Sequence, residues 1–241
     1  MRIDGRRYNE LRPLTIIPNY TKYAEGSVLI EQGDTKVICT ASIEDMVPRH
    51  IKGTGKGWIT AEYSMLPRAN RERNQRDISK LKLAGRSAEI QRLIGRSLRA
   101  VVDMTAFGEN TVTIDCDVIQ GDGGTRCASI TGGYVAMCLA FKRMIADGYI
   151  KETPVLEDVA ALSTGIIRLD GREQAVIDMC YDEDCSALAD FNIVMTSNGC
   201  FVEVQGTGEE RPYTNDELVN VLKITAPAIY NIMEIQRGAL R

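Results

Sequence analysis

The clearest structural signals in the sequence lie in the segment TVTIDCDVIQGDGGTRCASITGGYVAMCLAFKRMIADG, residues 111–148. Its first part, TVTIDCDVIQ, alternates apolar and polar residues, which favours a strand. Its last part, ASITGGYVAMCLAFKRMIADG, is long and apolar enough for a helix that ends at Gly148, since glycine is typical of helix C-termini. The loop GDGGTR joins the two, so the stretch predicts a strand, a tight loop and a helix in immediate succession.

Strand-like alternation also recurs on the amino-terminal side of this stretch. β-Branched and aromatic residues alternate with polar ones in LTIIPNY (14–20), SVLIEQGDTKVICTASI (27–43) and WITAEYSML (58–66). We expect antiparallel strands here, because turn residues separate the segments. SAEIQRLIGRSLRAVVDM (87–104) instead carries apolar residues at helical spacing, which predicts a helix.

A second set of strands followed by a helix occupies the carboxy-terminal side. The alternation predicts four strands, at 161–169, 173–181, 190–196 and 200–207. A capping box at Thr214 and Glu217 predicts the start of a last helix over 216–236, which Pro227 is expected to kink or interrupt. The sequence thus predicts an α+β protein of two similar sheet-plus-helix halves, 1–148 and 159–241, joined by a linker at 149–158.

Composition limits the class of protein. A chain of 241 residues that is 44% hydrophobic can bury a sizeable core, and it has no apolar run long enough to cross a bilayer. The amino terminus is charged from the start, so we expect a cytoplasmic protein without a membrane partner. The seven cysteines form no CxxC pair, and the single histidine, His50, excludes a zinc site of several histidines.

One block of the sequence is basic although the chain has a net charge of −4. Residues 68–99 contain ten lysines and arginines against three acidic residues. Such a block is often only a solvated helix face. Eight of the ten are arginines, however, whose planar guanidinium groups are suited to binding phosphate.

The glycine-rich loop is a candidate anion site. Backbone N–H groups at a helix N-terminus are unpaired and lie at the positive end of the dipole, so Gly123, Gly124 and Thr125 could hold an anion. The loop contains no GxxxxGK[ST] motif, and Arg126 stands where a dinucleotide-binding motif has its third glycine. The pattern favours a small anion held with an arginine, and the alternative is a tight turn without chemistry.

Acidic residues form a second candidate. Asp178 lies in the predicted strand at 173–181, and Asp184 follows just beyond it. Two carboxylates from one edge could converge on a divalent cation such as Mg²⁺, which prefers oxygen ligands. The alternative is an ordinary solvated acidic turn. Asp178 is the less ordinary of the two, because an acid within an apolar strand destabilises the fold unless it is paired or liganded.

The chain resembles the RNase PH family almost from end to end, and several motifs carry this resemblance. The motifs are DGR (4–6), AGRSAEIQRLIGRSLRAVVD (84–103), TIDCDVIQGDGGTRCASITG (113–132) and FVEVQGTGE (201–209). The resemblance implies a fold like the second domain of ribosomal protein S5 and a homohexamer, a trimer of dimers. It also implies an enzyme that uses inorganic phosphate to remove 3′-terminal nucleotides from tRNA precursors, releasing nucleoside diphosphates in a reversible reaction.

The resemblance assigns roles to individual residues. It implies that inorganic phosphate is bound by Arg86, Gly124, Thr125 and Arg126. It implies that tRNA is bound by Arg68, Arg73 and Arg76. It implies that catalysis and magnesium depend on Asp178 and Asp184, with Arg86 and Arg126 also catalytic. The loop at 77–84, DISKLKLA, departs from the family because it lacks the glycine-lysine pair usually found there.

The sequence therefore predicts that bound phosphate is itself the nucleophile, which would explain why no serine, cysteine or histidine nucleophile is evident. Two rival interpretations remain open at this stage. One is a non-catalytic ring subunit, which could lack the phosphate arginines or the aspartates. The other is a hydrolytic, metal-dependent nuclease, which would release nucleoside monophosphates without added phosphate.

Overall fold

The computed structural model describes residues 1–76 and 85–241, so the divergent loop at 77–84 lies outside the described residues. Within these described ranges, the first half contains five strands and two helices. They are β1 (Leu14–Pro18), β2 (Gly26–Gln32), β3 (Thr35–Glu44), β4 (Trp58–Met65), α1 (Gly85–Arg99), β5 (Thr111–Gln120) and α2 (Thr125–Ala146). The predicted strand, loop and helix of residues 111–148 are confirmed as β5, the glycine loop and α2.

The second half contains four strands and two helices. They are β6 (Val159–Leu169), β7 (Arg172–Ile177), α3 (Tyr181–Asp184), β8 (Ala189–Thr196), β9 (Phe201–Gly208) and α4 (Asn215–Ala239). The predicted α+β architecture of two sheet-plus-helix halves is confirmed. The boundaries that the sequence predicts between the halves, at 148 and 159, stay a prediction.

The first sheet has the strand order β1-β2-β3-β5-β4. β1, β2, β3 and β5 pair in antiparallel fashion, but β4 lies parallel to β5. The expectation that β4 belongs to an antiparallel set was therefore wrong. The reason lies in the connection, since α1 carries the chain from the end of β4 back to the start of β5, and such a crossover leaves the two strands parallel.

α2 and β6 lie at the centre of the molecule. Most residues of α2 are buried, because the helix contacts both β2 and β3 of the first sheet and β6 of the second. β6 is buried on both faces. Val159 and Ala161 join the core around α2, whereas Ala160 and Leu162 join a second core with α4, as the two-residue period of a strand requires.

Two details of the second half differ from the sequence prediction. The strand expected over 173–181 ends at Ile177, because Asp178 has a φ of 52° and turns the chain into the short helix α3. α4 runs uninterrupted across Pro227, and its neighbours Ala228 and Ile229 are buried in the second core, which compensates for the missing backbone hydrogen bond. The capping box of α4 at Thr214 is confirmed.

None of the helices within the described ranges is long and apolar enough to cross a membrane.

Candidate active site

A cleft of about 730 Å³ is lined by elements of both halves. Residues of α1, the first turn of α2 and the glycine loop form the wall from the first half. α3, β8 and β9 form the wall from the second half. Because α2 begins at the cleft, the positive end of its helix dipole lies beside this space, an arrangement that favours an anion there.

The four residues predicted to bind phosphate all line this cleft. They are Arg86, Gly124, Thr125 and Arg126. Gly124 is the N-cap of α2 and has a φ of 68°, so the helix starts directly from a left-handed residue. The hydroxyl of Thr125 lies 2.9 Å from that of Tyr63, which fixes the first residue of the helix against β4. The structure thus brings two arginines and a helix N-terminus together, as the sequence predicts for an anion site.

The shape of the loop depends on glycine at position 123. Gly123 has a φ of 76°, and a Cβ atom there would collide with the carbonyl oxygen of Met179. The hydroxyl of Thr35 donates a 2.7 Å hydrogen bond to the Gly123 carbonyl and accepts one of 2.9 Å from the Asp122 amide. The backbone of the loop is therefore pressed against the turn that precedes α3 and held from β3.

Arg126 is oriented by two residues that the sequence did not indicate. Its Nη1 donates a 2.8 Å hydrogen bond to Oε1 of Gln205 and lies 3.4 Å from Oε1 of Glu89. The amide of Gln205 donates to the same Glu89 oxygen at 3.0 Å. No local pattern could reveal this network, since Gln205 lies on β9, 79 residues from Arg126.

Asp184 faces the same cleft from α3. Its side chain is open to solvent, but the protein atoms crowded around it reduce its hydration, and this raises its pKa. The positive charges of Arg86 and Arg126 act in the opposite direction, and the negative charge of Glu209 raises the pKa further. Asp184 therefore lies within electrostatic reach of both predicted phosphate arginines.

Asp190 and Asn192 on β8 are two further cleft residues that the sequence analysis missed. The Oδ1 atom of Asp190 is buried and has no hydrogen-bond partner among the described residues. Burial raises the Asp190 pKa, and the charges of Asp184 and Glu209 raise it further. A signal was present in the sequence, because two polar residues spaced by two in an apolar strand lie on one face.

Asp178 does not line the cleft, although the resemblance pairs it with Asp184. Its carboxylate is 1% exposed, and Oδ1 accepts hydrogen bonds from Nη2 of Arg12 at 2.7 Å and from the amide of Gln32 at 2.9 Å. The Arg12 backbone amide donates to Oδ2 at 2.7 Å, and Nη1 of Arg6 lies 3.6 Å from that oxygen. Both oxygens are thus already occupied by protein groups, which leaves Asp184 as the member of the pair that faces the cleft.

The three arginines predicted to bind tRNA lie between β4 and α1. Arg68, Arg73 and Arg76 are exposed, and no carboxylate in the described part of the chain pairs with them. Between them, Arg71 donates a 2.8 Å hydrogen bond to Asp182, and its guanidinium lies 5.2 Å from the ring centre of Tyr181. This basic segment therefore contacts α3 at the edge of the cleft.

Family models match both halves of the chain. A model described as the 3′ exoribonuclease family, domain 1, matches residues 10–142, and one described as the 3′ exoribonuclease family, domain 2, matches residues 159–226. Together the two models account for most of the chain and include every residue that the sequence analysis placed in the site.

Individual relatives match over nearly the whole chain. The chain is 53% identical to Ribonuclease PH of Halalkalibacterium halodurans over 100% of its own length and 92% of that protein. It is 54% identical to Ribonuclease PH of Dehalococcoides mccartyi over 98% of its length and 96% of that protein.

A solved structure shares the fold. A chain of the Archaeoglobus fulgidus exosome with RNA bound to the active site matches with a TM-score of 0.78 and 20% identity, covering 97% of this chain and 91% of that one. Both family models and relatives above 50% identity point to the same family, and the solved structure shares its fold. The chain therefore belongs to the RNase PH family of 3′ exoribonucleases, phosphate-dependent enzymes of tRNA processing.

Proposed function

We propose that the cleft holds inorganic phosphate between Arg86, Arg126 and the backbone amides of Gly124 and Thr125, and that this phosphate attacks the last phosphodiester of an RNA 3′ end. A phosphate oxygen bonds to the terminal phosphorus, the bond from that phosphorus to the 3′ oxygen breaks, and a nucleoside diphosphate leaves. The observation that carries the proposal is that Arg86, Arg126 and Asp184 line one cleft.

The chain's own contribution is then to position the reactants and neutralise their charge. Two arginines and the N-terminus of α2 offset the repulsion between a phosphate dianion and the RNA backbone, as phosphoryl transfer requires. Since the phosphate is the nucleophile, no activated side chain is needed. A phosphodiester is exchanged for a phosphoanhydride, so excess nucleoside diphosphate should drive nucleotide addition to the RNA 3′ end.

The second wall of the cleft has the chemistry of a magnesium site. The unpaired, buried Oδ1 of Asp190 lies on the same wall as Asp184. The charge of Asp184 raises the pKa of Asp190, and the charge of Glu209 raises the pKa of both. No cluster of three or more histidine, cysteine or acidic side chains suited to a metal occurs in the described ranges. Two carboxylates suit Mg²⁺, which retains waters and binds substrate oxygens. We therefore propose that Asp184 and Asp190 would hold it.

A bound Mg²⁺ would supply charge stabilisation at the leaving 3′ oxygen. The resemblance predicts that Asp178 is the partner of Asp184 in this role. We propose instead that Asp178 is a positioning residue. Both oxygens of its carboxylate already accept hydrogen bonds, from the side chains of Arg12 and Gln32 and from the Arg12 backbone amide.

The substrate side of the proposal concerns the basic segment and the assembly. We propose that Arg68, Arg73 and Arg76 bind the phosphates of a tRNA precursor, since they are exposed, unpaired in the described part of the chain, and close to the cleft. We further propose that the enzyme acts in the cytoplasm as a homohexamer, a trimer of dimers, as the family resemblance implies.

The test is product analysis with and without inorganic phosphate. We expect nucleoside diphosphates only when phosphate is present, and a loss of about 3 kcal/mol of transition-state stabilisation in Arg126→Ala, similar to the removal of one oxyanion donor. Arg143→Ala is the matched control, because Arg143 lies on the same helix and pairs with Asp147 on the surface. Nucleoside monophosphates formed without phosphate would support the hydrolytic rival, and an inactive wild-type chain would support the non-catalytic one.

A further inference from the structure

The amino-terminal segment is fastened to α3 by a buried ion pair. Nε of Arg2 donates to Oε1 of Glu183 at 2.8 Å, and Nη2 donates to Oε2 at 2.6 Å. Both side chains are 1% exposed. A bidentate pair of this kind fixes orientation as well as distance. The second residue of the chain therefore holds a residue 181 positions away.

The same segment also holds the turn that leads into α3. Nη1 of Arg2 donates to the carbonyl of Ile177 at 2.8 Å, and Nη2 donates to the carbonyl of Asp178 at 2.9 Å. Arg6, from the DGR motif, donates to the same Asp178 carbonyl at 2.9 Å. Asp178 has a φ of 52°, a strained conformation for an aspartate, and such strain persists only where the surroundings enforce it.

α3 cannot hold its own shape. It has four residues, far fewer than an isolated helix needs. Glu183 is the buried residue that ties it to the rest of the chain, because its Oε2 accepts a 3.2 Å hydrogen bond from the Cys180 amide at the helix N-cap while it accepts from Arg2. Asp184, the next residue, lines the cleft. The orientation of Asp184 thus depends on a carboxylate that Arg2 holds in place.

A buried ion pair is in general weak evidence for stability, because desolvation offsets the attraction between the charges. Its more specific effect is to select one arrangement of the chain. We propose that Arg2, acting through Glu183, is a positioning residue that sets the orientation of Asp184 in the cleft. This inference rests on the proposed function, in which Asp184 acts at the reacting phosphates.

The test compares Arg2→Lys and Glu183→Gln with the wild type in steady-state phosphorolysis of an RNA oligonucleotide. Lysine keeps the charge of Arg2 but cannot bond two carboxylate oxygens and two carbonyls at once, and glutamine keeps the size of Glu183. We expect kcat to fall by roughly tenfold to a hundredfold, the effect of a displacement of about 1 Å at a reacting group. KM for phosphate should stay within about twofold, because neither residue lines the phosphate side of the cleft.

Asp170→Asn is the matched control. It removes a surface ion pair of the amino-terminal segment, in which the Met1 ammonium group lies 2.6 Å from a carboxylate oxygen of Asp170. Rates are measured below the unfolding temperature of each variant. Each rate is divided by the concentration of folded protein, and circular dichroism reports the folded fraction. The control should keep the wild-type kcat.

A wild-type kcat in both variants, or a loss that matches only the unfolded fraction, would overturn the inference. So would failure of both variants to fold, since the pair would then be required for folding itself. Asp184→Asn in the same assay separates the two proposals. Full activity of Asp184→Asn overturns the proposed function, whereas an inactive Asp184→Asn beside a normal Arg2→Lys overturns the positioning role alone.

Discussion

Gln205 on β9 accepts a 2.8 Å hydrogen bond from Arg126 on α2, so a strand of the second half orients an arginine of the first. Glu89 on α1 completes the network by accepting from both side chains. An arginine side chain has four rotatable bonds, so it loses less conformational entropy on binding an anion if hydrogen bonds already hold its guanidinium group. The phosphate side of the cleft is therefore preorganised by contacts between elements far apart in the sequence.

Replacement of Gln205 by alanine should weaken phosphate binding. Arg126 would lose one hydrogen bond to a charged group, worth about 1.5 kcal/mol, which corresponds to roughly a tenfold rise in KM for phosphate. Steady-state phosphorolysis at varied phosphate measures this. Gln174→Ala is the control, since its amide bonds only the neighbouring Ala175 carbonyl. An unchanged KM in Gln205→Ala would show that Arg126 needs no support.

Two glycines with similar backbone angles should respond differently to alanine. Gly123 and Gly148 have φ values of 76° and 80°, so each substitution strains the backbone by about 1 kcal/mol. A Cβ at Gly148 meets open space, whereas one at Gly123 collides with Met179. Thermal unfolding should show a larger loss for Gly123→Ala, and only this variant should lose phosphorolysis. Equal losses in both variants would mean that the loop can shift freely.

The pH dependence of kcat should follow the charges around Asp184. Crowding in the cleft raises its pKa, and Glu209 raises it further, so the ionised form is lost as the pH falls through this raised value. Glu209→Gln removes a negative charge, lowers the pKa and should move the acid limb of the kcat profile to lower pH. Glu210→Gln is the control, because Glu210 pairs with Arg168 outside the cleft. A shift to higher pH would contradict the assignment.

Asp190 should lower the stability of the fold at neutral pH. Its pKa is raised in the folded state, so it binds a proton more tightly there than in the unfolded chain, and its ionised form is destabilising. The effect is absent below the unfolded value of about 3.9 and complete above the raised folded value. Asp190→Asn should therefore raise the unfolding temperature at pH 7.5 more than at pH values near about 3.9. A rise in unfolding temperature that is the same at both pH values would contradict this explanation.

The basic segment should determine how salt weakens RNA binding. If Arg68, Arg73 and Arg76 each contact a phosphate of single-stranded RNA, replacing one by glutamine should reduce the slope of log K against log salt by about 0.7. Filter binding or anisotropy across a salt series measures the slope. Arg143→Gln, on the surface of α2, should leave it unchanged. Equal slopes for all variants would exclude these arginines from the RNA interface.

Local patterns were sufficient for most of the fold and for one wall of the site. Alternation in β5, the glycines of the loop and the apolar run of α2 are short-range signals, since a strand, a turn and a helix are each set by neighbouring residues. Arg126 could be predicted as a site residue for the same reason, because its place directly after the loop is a local feature of the sequence. The parallel pairing of β4 was not, because strand direction depends on where a crossover returns the chain.

Two sheet-plus-helix halves, a glycine loop at a helix N-terminus and an arginine beside it could all be predicted, because these features depend on periodicity and backbone sterics. The carboxylates that face the cleft could be identified only in the folded molecule. Asp178 and Asp184 are six positions apart, and the sequence favours a metal role for both, but Arg12 and Gln32 pair with the first whereas the short helix α3 presents the second to the cleft. Whether a carboxylate is free or paired depends on residues distant in the chain, and only folding brings those residues together.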